Sequence, residues 1–212
     1  MLGLPPDLGR PLRLLCIGAH ADDIEIGAGG TVRRLLIAYE TDVTWAVASA
    51  PGGRAAEARA AASDWLDGAA TSRVEIANFR DGYFPTQRAE IKDWFRSALA
   101  PSAPDLVLVH RRDDAHQDHR TLGELATETF RGPTVAAYEI PKWDGDLTRP
   151  TAYVTLPDDV AAFKVDALRR HFPSQHDKPW YDTETFRALL CIRGVEAKTR
   201  WAEAFTVDKL VW

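Results

Sequence analysis

The sequence has few of the residues that mark special classes of protein. It contains two cysteines and one methionine in 212 residues, and Cys16 and Cys191 both lie in apolar runs without a pairing pattern. A disulfide framework is therefore excluded, and a reducing compartment is expected. Basic residues are not in excess either, because 26 Lys and Arg stand against 31 Asp and Glu, a net charge of −5. This balance argues against nucleic acid as the main partner.

Long hydrophobic runs are also absent. No apolar stretch approaches the roughly 18 residues that cross a bilayer, so we expect no transmembrane segment. Residues 1–7 lack a basic region followed by a long apolar core, so we expect no signal peptide. With 45% hydrophobic and 27% charged residues, the composition is that of a soluble globular protein, which we place in the cytoplasm.

Apolar runs of strand length alternate with segments of helical periodicity. Strands are predicted over residues 13–19, 43–50, 74–79, 106–110 and 134–140, and helices over residues 29–39, 54–66, 87–99 and 119–130. Strand and helix alternating in this way predict an α/β fold, with a doubly wound, mostly parallel sheet of order about 3-2-1-4-5 and helices on both faces.

The last third of the chain is less regular. We predict an edge strand over residues 153–156, a helix over 158–170 capped by Asp158 or Asp159, and a second helix over 183–190. No internal repeat and no Gly-, Ser- or Pro-rich linker divides the chain. We therefore expect a single domain, residues 1–212, with a C-terminal extension packed on the sheet.

Four of the six histidines lie at or just beyond the ends of predicted strands. His20 follows the first strand, His110 ends the fourth, and His116 and His119 follow it, each set with carboxylates close by. Imidazole and carboxylate are the usual ligands of a hydrolytic zinc ion. In a sheet of order 3-2-1-4-5, strands one and four are neighbours, and ligands bind in the crevice at their carboxyl ends. The sequence therefore predicts one site built from two distant segments.

These segments carry the groups that metal-assisted hydrolysis needs. A catalytic zinc ion keeps three protein ligands and one water, whose pKa it lowers to about 7. The adjacent Asp22 and Asp23 can supply one ligand and one general base. His116 and His119 can supply one ligand and one imidazole near the oxyanion, with Asp118 to orient that imidazole.

Simpler interpretations apply to other residues of the same types. A lone histidine is more often structural than metal-binding, so we interpret His110, His171 and His176 as structural. The Asp pairs at 113–114 and 158–159 are interpreted as turn formers or helix caps. The glycines at 27–30 suggest a dinucleotide loop, but they come too late after the strand and Val32 stands where a small residue is needed. We expect them to let a helix pack closely on the sheet.

The same segments resemble the motifs of a known family. Residues 18–31, Gly-Ala-His-Ala-Asp-Asp-Ile-Glu-Ile-Gly-Ala-Gly-Gly-Thr, resemble the His-Pro-Asp-Asp-Glu signature of the PIG-L (LmbE-like) deacetylases. Residues 115–119, Ala-His-Gln-Asp-His, resemble its second motif, His-Pro-Asp-His. Further likeness lies at residues 54–58, 138–146, 174–175 and 200–205. The chain departs from the pattern at Ala21, in place of Pro, and at Ile24, in place of an acidic residue.

The resemblance implies a Rossmann-like fold and zinc-dependent hydrolysis. The reaction would remove an N-acetyl group from an N-acetylglucosamine-type amino sugar or its conjugate, with a zinc-bound water as the nucleophile. By position in the motifs, the metal ligands would be His20, Asp23 and His119, and Asp22 would be the general base. Zinc is the expected cofactor, although such oxygen- and nitrogen-rich sites accept other divalent cations.

The resemblance also implies roles around the metal. His116 would polarise the carbonyl oxygen or protonate the amine, and Asp118 would hold its tautomer. Arg54 and Asp81 match positions at which family members contact the sugar. Some members carry a tyrosine near the oxyanion at the position of Asp114, so that role is not expected here.

Three functional hypotheses follow, all with a small molecule as the partner. The first is deacetylation of an N-acetylated sugar or glycoconjugate. The second is an amidase for a thiol-sugar conjugate, with the same site and a different pocket. The third is a nucleotide- or sugar-binding module without turnover, based on the glycines at 27–30. The sequence leaves open whether the chain forms a homo-oligomer.

Overall fold

The computed structural model describes residues 9–210, so the segment examined for a signal peptide, residues 1–7, lies outside it. The strands of the described part are β1 (Leu12–Gly18), β2 (Thr41–Val47), β3 (Thr71–Ile76), β4 (Leu106–His110), β5 (Thr134–Tyr138), β6 (Ala152–Thr155) and β7 (Ala202–Val207). Its α-helices are α1 (Asp23–Ala38), α2 (Arg54–Trp65), α3 (Arg88–Trp94), α4 (Gln117–Thr129), α5 (Asp158–His171) and α6 (Thr183–Glu196). None of the helices in this part is long and apolar enough to cross a bilayer.

One sheet joins all seven of these strands in the order β3-β2-β1-β4-β5-β7-β6. The first five are parallel, which confirms the predicted order 3-2-1-4-5 and the α/β class. β7 lies antiparallel between β5 and β6, and β6 forms the expected edge. β7 was not predicted, because its alternating pattern includes the buried Glu203, which reads as a solvent-facing residue in sequence.

Two apolar cores cover the two faces of the sheet. In β1, Leu14 and Cys16 face the core shared with α1, α2, α5 and α6, whereas Leu15 and Ile17 face the core formed with α3 and α4. A strand covered on both faces has no polar side, which explains its continuous apolar run. Both cysteines are free thiols, with Cys16 buried and Cys191 exposed.

Helix α1 begins at Asp23, six residues earlier than the sequence predicted. The prediction missed this first part because residues 23–32 are all buried, so no polar face marks the helical period. The glycines allow close packing, as expected: a Cβ on Gly27 would lie 2.1 Å from Cδ2 of Tyr138. The early start makes Asp22 the N-cap residue of α1 and Asp23 its first helical residue.

Other helix boundaries also differ from prediction. The segment predicted as one helix over residues 87–99 is α3 followed by a π-helical turn, Phe95–Leu99. The N-cap of α5 is Pro157, rather than Asp158 or Asp159. Asp158 instead accepts a hydrogen bond from Nε1 of Trp201 at 2.8 Å, so its side chain is turned toward β7.

A buried ion pair fastens α1 to the C-terminal part of the chain. Lys164 of α5 contacts Glu203 of β7 and also donates to the carbonyl oxygen of Ile26 at 2.6 Å. The Glu203 carboxylate accepts the N–H groups of Gly30 and Thr31 at 2.8 and 2.6 Å. The C-terminal extension therefore holds the helix at whose start Asp23 lies.

Candidate metal centre

Two helices begin at the carboxyl ends of the neighbouring strands β1 and β4. His20 and Asp22 lie between β1 and α1, and Asp23 is the first residue of α1. His116 is the N-cap residue of α4, and His119 lies in the first turn of that helix. Because β1 and β4 are paired in parallel, the structure brings the two motifs together as the topology predicted.

Three side chains meet at the spacing of a tetrahedral metal site. Nδ1 of His20 lies 3.3 Å from Oδ2 of Asp23 and 3.4 Å from Nε2 of His119. Nε2 of His119 lies 3.5 Å from the same Asp23 oxygen. Zinc bonds of about 2.0–2.2 Å in tetrahedral geometry separate ligand atoms by about 3.3–3.6 Å. The donor set and its spacing therefore fit a zinc ion.

The charges of His119 and Asp23 suit metal binding, whereas His20 holds a proton that a metal ion must displace. Burial alone would lower the pKa of His20, but the carboxylates of Asp23, Asp118 and Asp81 raise it well above its usual range. Burial and the neighbouring His110 lower the pKa of His119 to about 4, so its ring is neutral at neutral pH, as a ligand must be. Burial alone would raise the pKa of Asp23. The imidazoles of His119, His110 and His20 outweigh this effect and hold the pKa of Asp23 well below its usual range. Asp23 is therefore a carboxylate at neutral pH.

Asp22 directly precedes Asp23, is buried, and lies close enough to Asp23 and His20 for their charges to influence its pKa. Nη2 of Arg54 donates to its Oδ1 at 2.7 Å. Burial raises the pKa of Asp22 more than the Arg54 guanidinium lowers it, so the net shift is upward. A carboxyl with a raised pKa is suited to taking up and releasing a proton near neutral pH.

Asp118 is placed differently from the expectation. Its carboxylate accepts the N–H groups of Gly82 and Phe84 at 2.6 and 3.1 Å, and it lies 3.5 Å from Nε2 of His20. The His116 ring instead accepts the backbone N–H of Asp118 at its Nδ1, 3.3 Å away. The first turn of α4 points the Asp118 side chain across to residues 82–84, so its carboxylate contacts that loop and His20, whereas the His116 imidazole is contacted by the backbone N–H of Asp118.

Asp81 and Arg54 line the same site. Oδ1 of Asp81 lies 3.0 Å from Nε2 of His20, with about half of the aspartate side chain exposed. Its pKa is lowered, chiefly by the hydrogen-bonding contact with His20. Asp81 therefore borders a predicted metal ligand directly, in addition to being open to a substrate.

Asp114 was interpreted from the sequence only as a turn former or helix cap, but in the structure it also contacts a predicted metal ligand. It forms the expected turn, since its Oδ1 accepts the N–H of His116 at 2.8 Å. However, it is also buried, and its Oδ2 lies 3.3 Å from Nδ1 of His119. A carboxylate on the outer nitrogen of a ligating histidine fixes its tautomer and orientation. The signal in the sequence was its position directly before the second motif, residues 115–119.

Of the three histidines interpreted as structural, His110 lies against the candidate metal centre, and His171 and His176 have other partners. His110 is fully buried, and its Nε2 accepts the N–H of Ala19 at 3.0 Å. The same nitrogen lies 3.2 Å from Asp23, and the ring stacks on His119, so His110 also packs against two predicted ligands. His171 and His176 contact Asp64 and a backbone carbonyl, as the structural interpretation expects.

Known structures share this fold over nearly the whole chain. The N,N'-diacetylchitobiose deacetylase from Pyrococcus horikoshii superposes with a TM-score of 0.76 at 22% identity, covering 97% of this chain and 86% of that one. A zinc-inhibited form of the teicoplanin deacetylase Orf2 has a TM-score of 0.74 at 16% identity, covering 92% and 97%. The 4-carboxy-2-hydroxymuconate hydratase GalB from Pseudomonas putida KT2440 has a TM-score of 0.69 at 20% identity, covering 95% and 98%.

The sequence identity to each of these proteins is too low to infer a shared activity, so the superpositions establish the fold alone. Family membership comes from the sequence itself. The sequence profile of PIG-L, the GlcNAc-PI de-N-acetylases, matches residues 15–130, which is more than half of the chain and includes both metal motifs. This chain belongs to the PIG-L family.

Proposed function

We propose that this protein is a metal-dependent N-deacetylase that hydrolyses the N-acetyl amide of an amino sugar or its conjugate. The observation that carries the proposal is the cluster of His20, Asp23 and His119, whose donor atoms lie 3.3–3.5 Å apart, with the buried Asp22 directly before Asp23 in the chain. A divalent cation bound there would polarise the acetyl carbonyl and acidify a water molecule. Zinc is the ion we expect.

The protein groups supply the proton transfers of this reaction. Asp22 accepts a proton from the attacking water as a C–O bond forms at the acetyl carbon. The C–N bond then breaks, and the amine nitrogen receives a proton from Asp22 or from His116, so that acetate and a free amine are released. The Arg54 guanidinium holds the Asp22 carboxylate in place throughout.

His116 lies next to two of the three ligand side chains, those of His20 and His119. Its ring is 5.2 Å from that of His20 and 4.5 Å from that of His119, centroid to centroid. In this position it can stabilise the negative oxygen of the tetrahedral intermediate or protonate the leaving amine. The exposed part of Asp81 and the Arg54 side chain are the groups we expect to contact the sugar.

The fold by itself does not select this reaction, since GalB, a hydratase, has the same fold. What favours de-N-acetylation is the family match, which spans both metal motifs. The thiol-sugar amidase hypothesis uses the same groups and differs only in the substrate. A substrate panel separates these possibilities.

The deciding experiment compares wild-type protein with the Asp22→Asn variant. Each is purified, analysed for bound metal, and assayed for acetate release from N-acetylated sugars, their nucleotide conjugates and N-acylated thiol-sugar conjugates. We expect about one zinc per chain in both proteins. Turnover should fall by a factor of 10² to 10⁴ in the variant, the usual contribution of a general base.

Asp93→Asn, the same change at an exposed position on α3, is the matched control and should keep full activity. Full activity of Asp22→Asn would refute the assignment of the base. The absence of acetate release by wild-type protein over the whole panel would refute the deacetylase proposal.

A further inference from the structure

Lys142 belongs to neither metal motif and lies beyond residues 15–130, which the family profile matches, yet its side chain is buried beside the metal centre. Only 8% of it is exposed. Its ammonium group lies 3.1 Å from Oδ1 of Asp114 and also contacts Oδ1 of Asp146. A buried lysine is unfavourable unless it is paired, so this position of Lys142 depends on those two carboxylates.

Asp114 connects this lysine to a predicted metal ligand. Its Oδ1 forms an ion pair with the Lys142 ammonium group and accepts the N–H of His116. Its Oδ2 lies 3.3 Å from Nδ1 of His119. Nε2 of His119 faces His20 and Asp23. A continuous line of polar contacts therefore runs from Lys142 through Asp114 and His119 to the point where the three donor atoms meet.

Asp146 holds Lys142, the residue of this series that is farthest from the metal centre, in place. Its Oδ1 contacts Lys142, and its Oδ2 accepts the N–H of Ala115 at 2.9 Å. Its carbonyl oxygen accepts a hydrogen bond from Nη1 of Arg111 at 2.8 Å. Residues 142–146 are therefore attached to residues 111–115, which lead into the second metal motif, and the ammonium group of Lys142 has little freedom to move away from Asp114.

We propose that Lys142 is a positioning residue of the metal centre, which acts through Asp114 to fix the orientation and the Nδ1–H tautomer of His119. The inference rests on the proposed metal site but not on the identity of the substrate. A carboxylate that is buried against an imidazole on one side needs a cation on the other. Without Lys142, Asp114 loses this compensation and can turn away from His119, which then presents Nε2 to the metal less well.

The test measures the zinc dissociation constant by competition with a chelator in four proteins: wild type, Lys142→Met, Asp114→Asn and the double variant. We expect each single substitution to weaken zinc binding by about 10- to 100-fold, the usual effect of removing a partner of a metal ligand. Because the lysine acts through Asp114, the double variant should bind no more weakly than Asp114→Asn alone. Lys142→Arg, which keeps the charge, should recover most of the affinity.

Two further measurements separate positioning from general stability. Lys92→Met, at an exposed lysine that pairs with Glu128 on the surface, is the matched control and should leave zinc affinity unchanged. Cobalt(II) substituted for zinc should show a changed visible absorption spectrum in Lys142→Met, since its ligand geometry is altered, and a normal one in the control. If Lys142→Met does not fold, Lys142→Gln, which keeps a hydrogen-bond donor without the charge, replaces it.

Unchanged zinc affinity in Lys142→Met would overturn the inference, as would additive losses in the double variant. Either result would leave the proposed function intact, because wild-type protein would still bind zinc. If wild-type protein binds neither zinc nor cobalt, both the proposed function and this inference are wrong.

Discussion

Asp118 illustrates how one carboxylate can have a different partner from the one its motif suggests. The spacing of the second motif places it two residues after His116, and the family resemblance assigns it to that ring. In the structure its two oxygens instead accept backbone N–H groups of Gly82 and Phe84. These contacts hold in place the loop that carries Asp81, so Asp118 shapes the site through the chain around it.

We therefore predict that Asp118→Asn destabilises the metal-free protein. An asparagine side chain has only one oxygen, so one of the two N–H groups loses its acceptor, at a cost of about 1–3 kcal/mol. Urea unfolding of metal-free protein measures this loss. Asp67→Asn, at an exposed position after α2, should change the free energy of unfolding by less than about 0.5 kcal/mol. If Asp118 serves only to orient His116, turnover will fall while stability stays unchanged.

At the scale of elements, the position of α1 depends on its glycines. The helix packs so closely on β5 that a Cβ on Gly27 would overlap the ring of Tyr138. That ring cannot easily move, because its hydroxyl donates to the carbonyl oxygen of Ile17 at 2.7 Å. Since α1 begins with Asp23, any displacement of this helix also moves a predicted metal ligand.

Gly27→Ala should therefore lower both stability and zinc affinity. Forcing a methyl group into a packed core costs about 1–3 kcal/mol, which thermal unfolding detects as a lower Tm. Gly132→Ala is the control, because a Cβ there meets no atom within 4 Å. An alanine variant at position 27 with the Tm and zinc affinity of wild type would contradict the packing described here.

At the scale of the whole molecule, the candidate metal centre joins two parts of the chain that are distant in sequence. His20 and Asp23 lie near the start, whereas His119 comes beyond the middle, and the parallel pairing of β1 with β4 brings them together. A site of this kind does not exist in the unfolded chain. Metal binding must therefore stabilise the folded state.

We predict that zinc raises the Tm of wild-type protein in a concentration-dependent way. At 100 times the dissociation constant, binding to the folded state alone contributes about 2.7 kcal/mol. His119→Ala should lose this zinc-dependent increase, whereas His176→Ala, which changes an exposed histidine, should keep it. An equal zinc response in His119→Ala would show that the ion binds elsewhere.

The sequence alone determined the order of the first five strands and the segments that meet at their carboxyl ends. These features depend on local patterns: continuous apolar runs predict strands covered on both faces, and topology then places whatever follows strands one and four in one crevice. The predicted ligands His20, Asp23 and His119 lie within 3.5 Å of one another for this reason.

Only the tertiary structure decided the rest. The start of α1 was hidden because its first turns are buried on every side, and β7 was hidden because Glu203 is polar yet paired with Lys164. The contact of Lys142 with Asp114 was not visible in the sequence. In each case the packing partner is distant along the chain. A local pattern reports whether a residue is apolar or charged, but not which distant group covers it or compensates its charge.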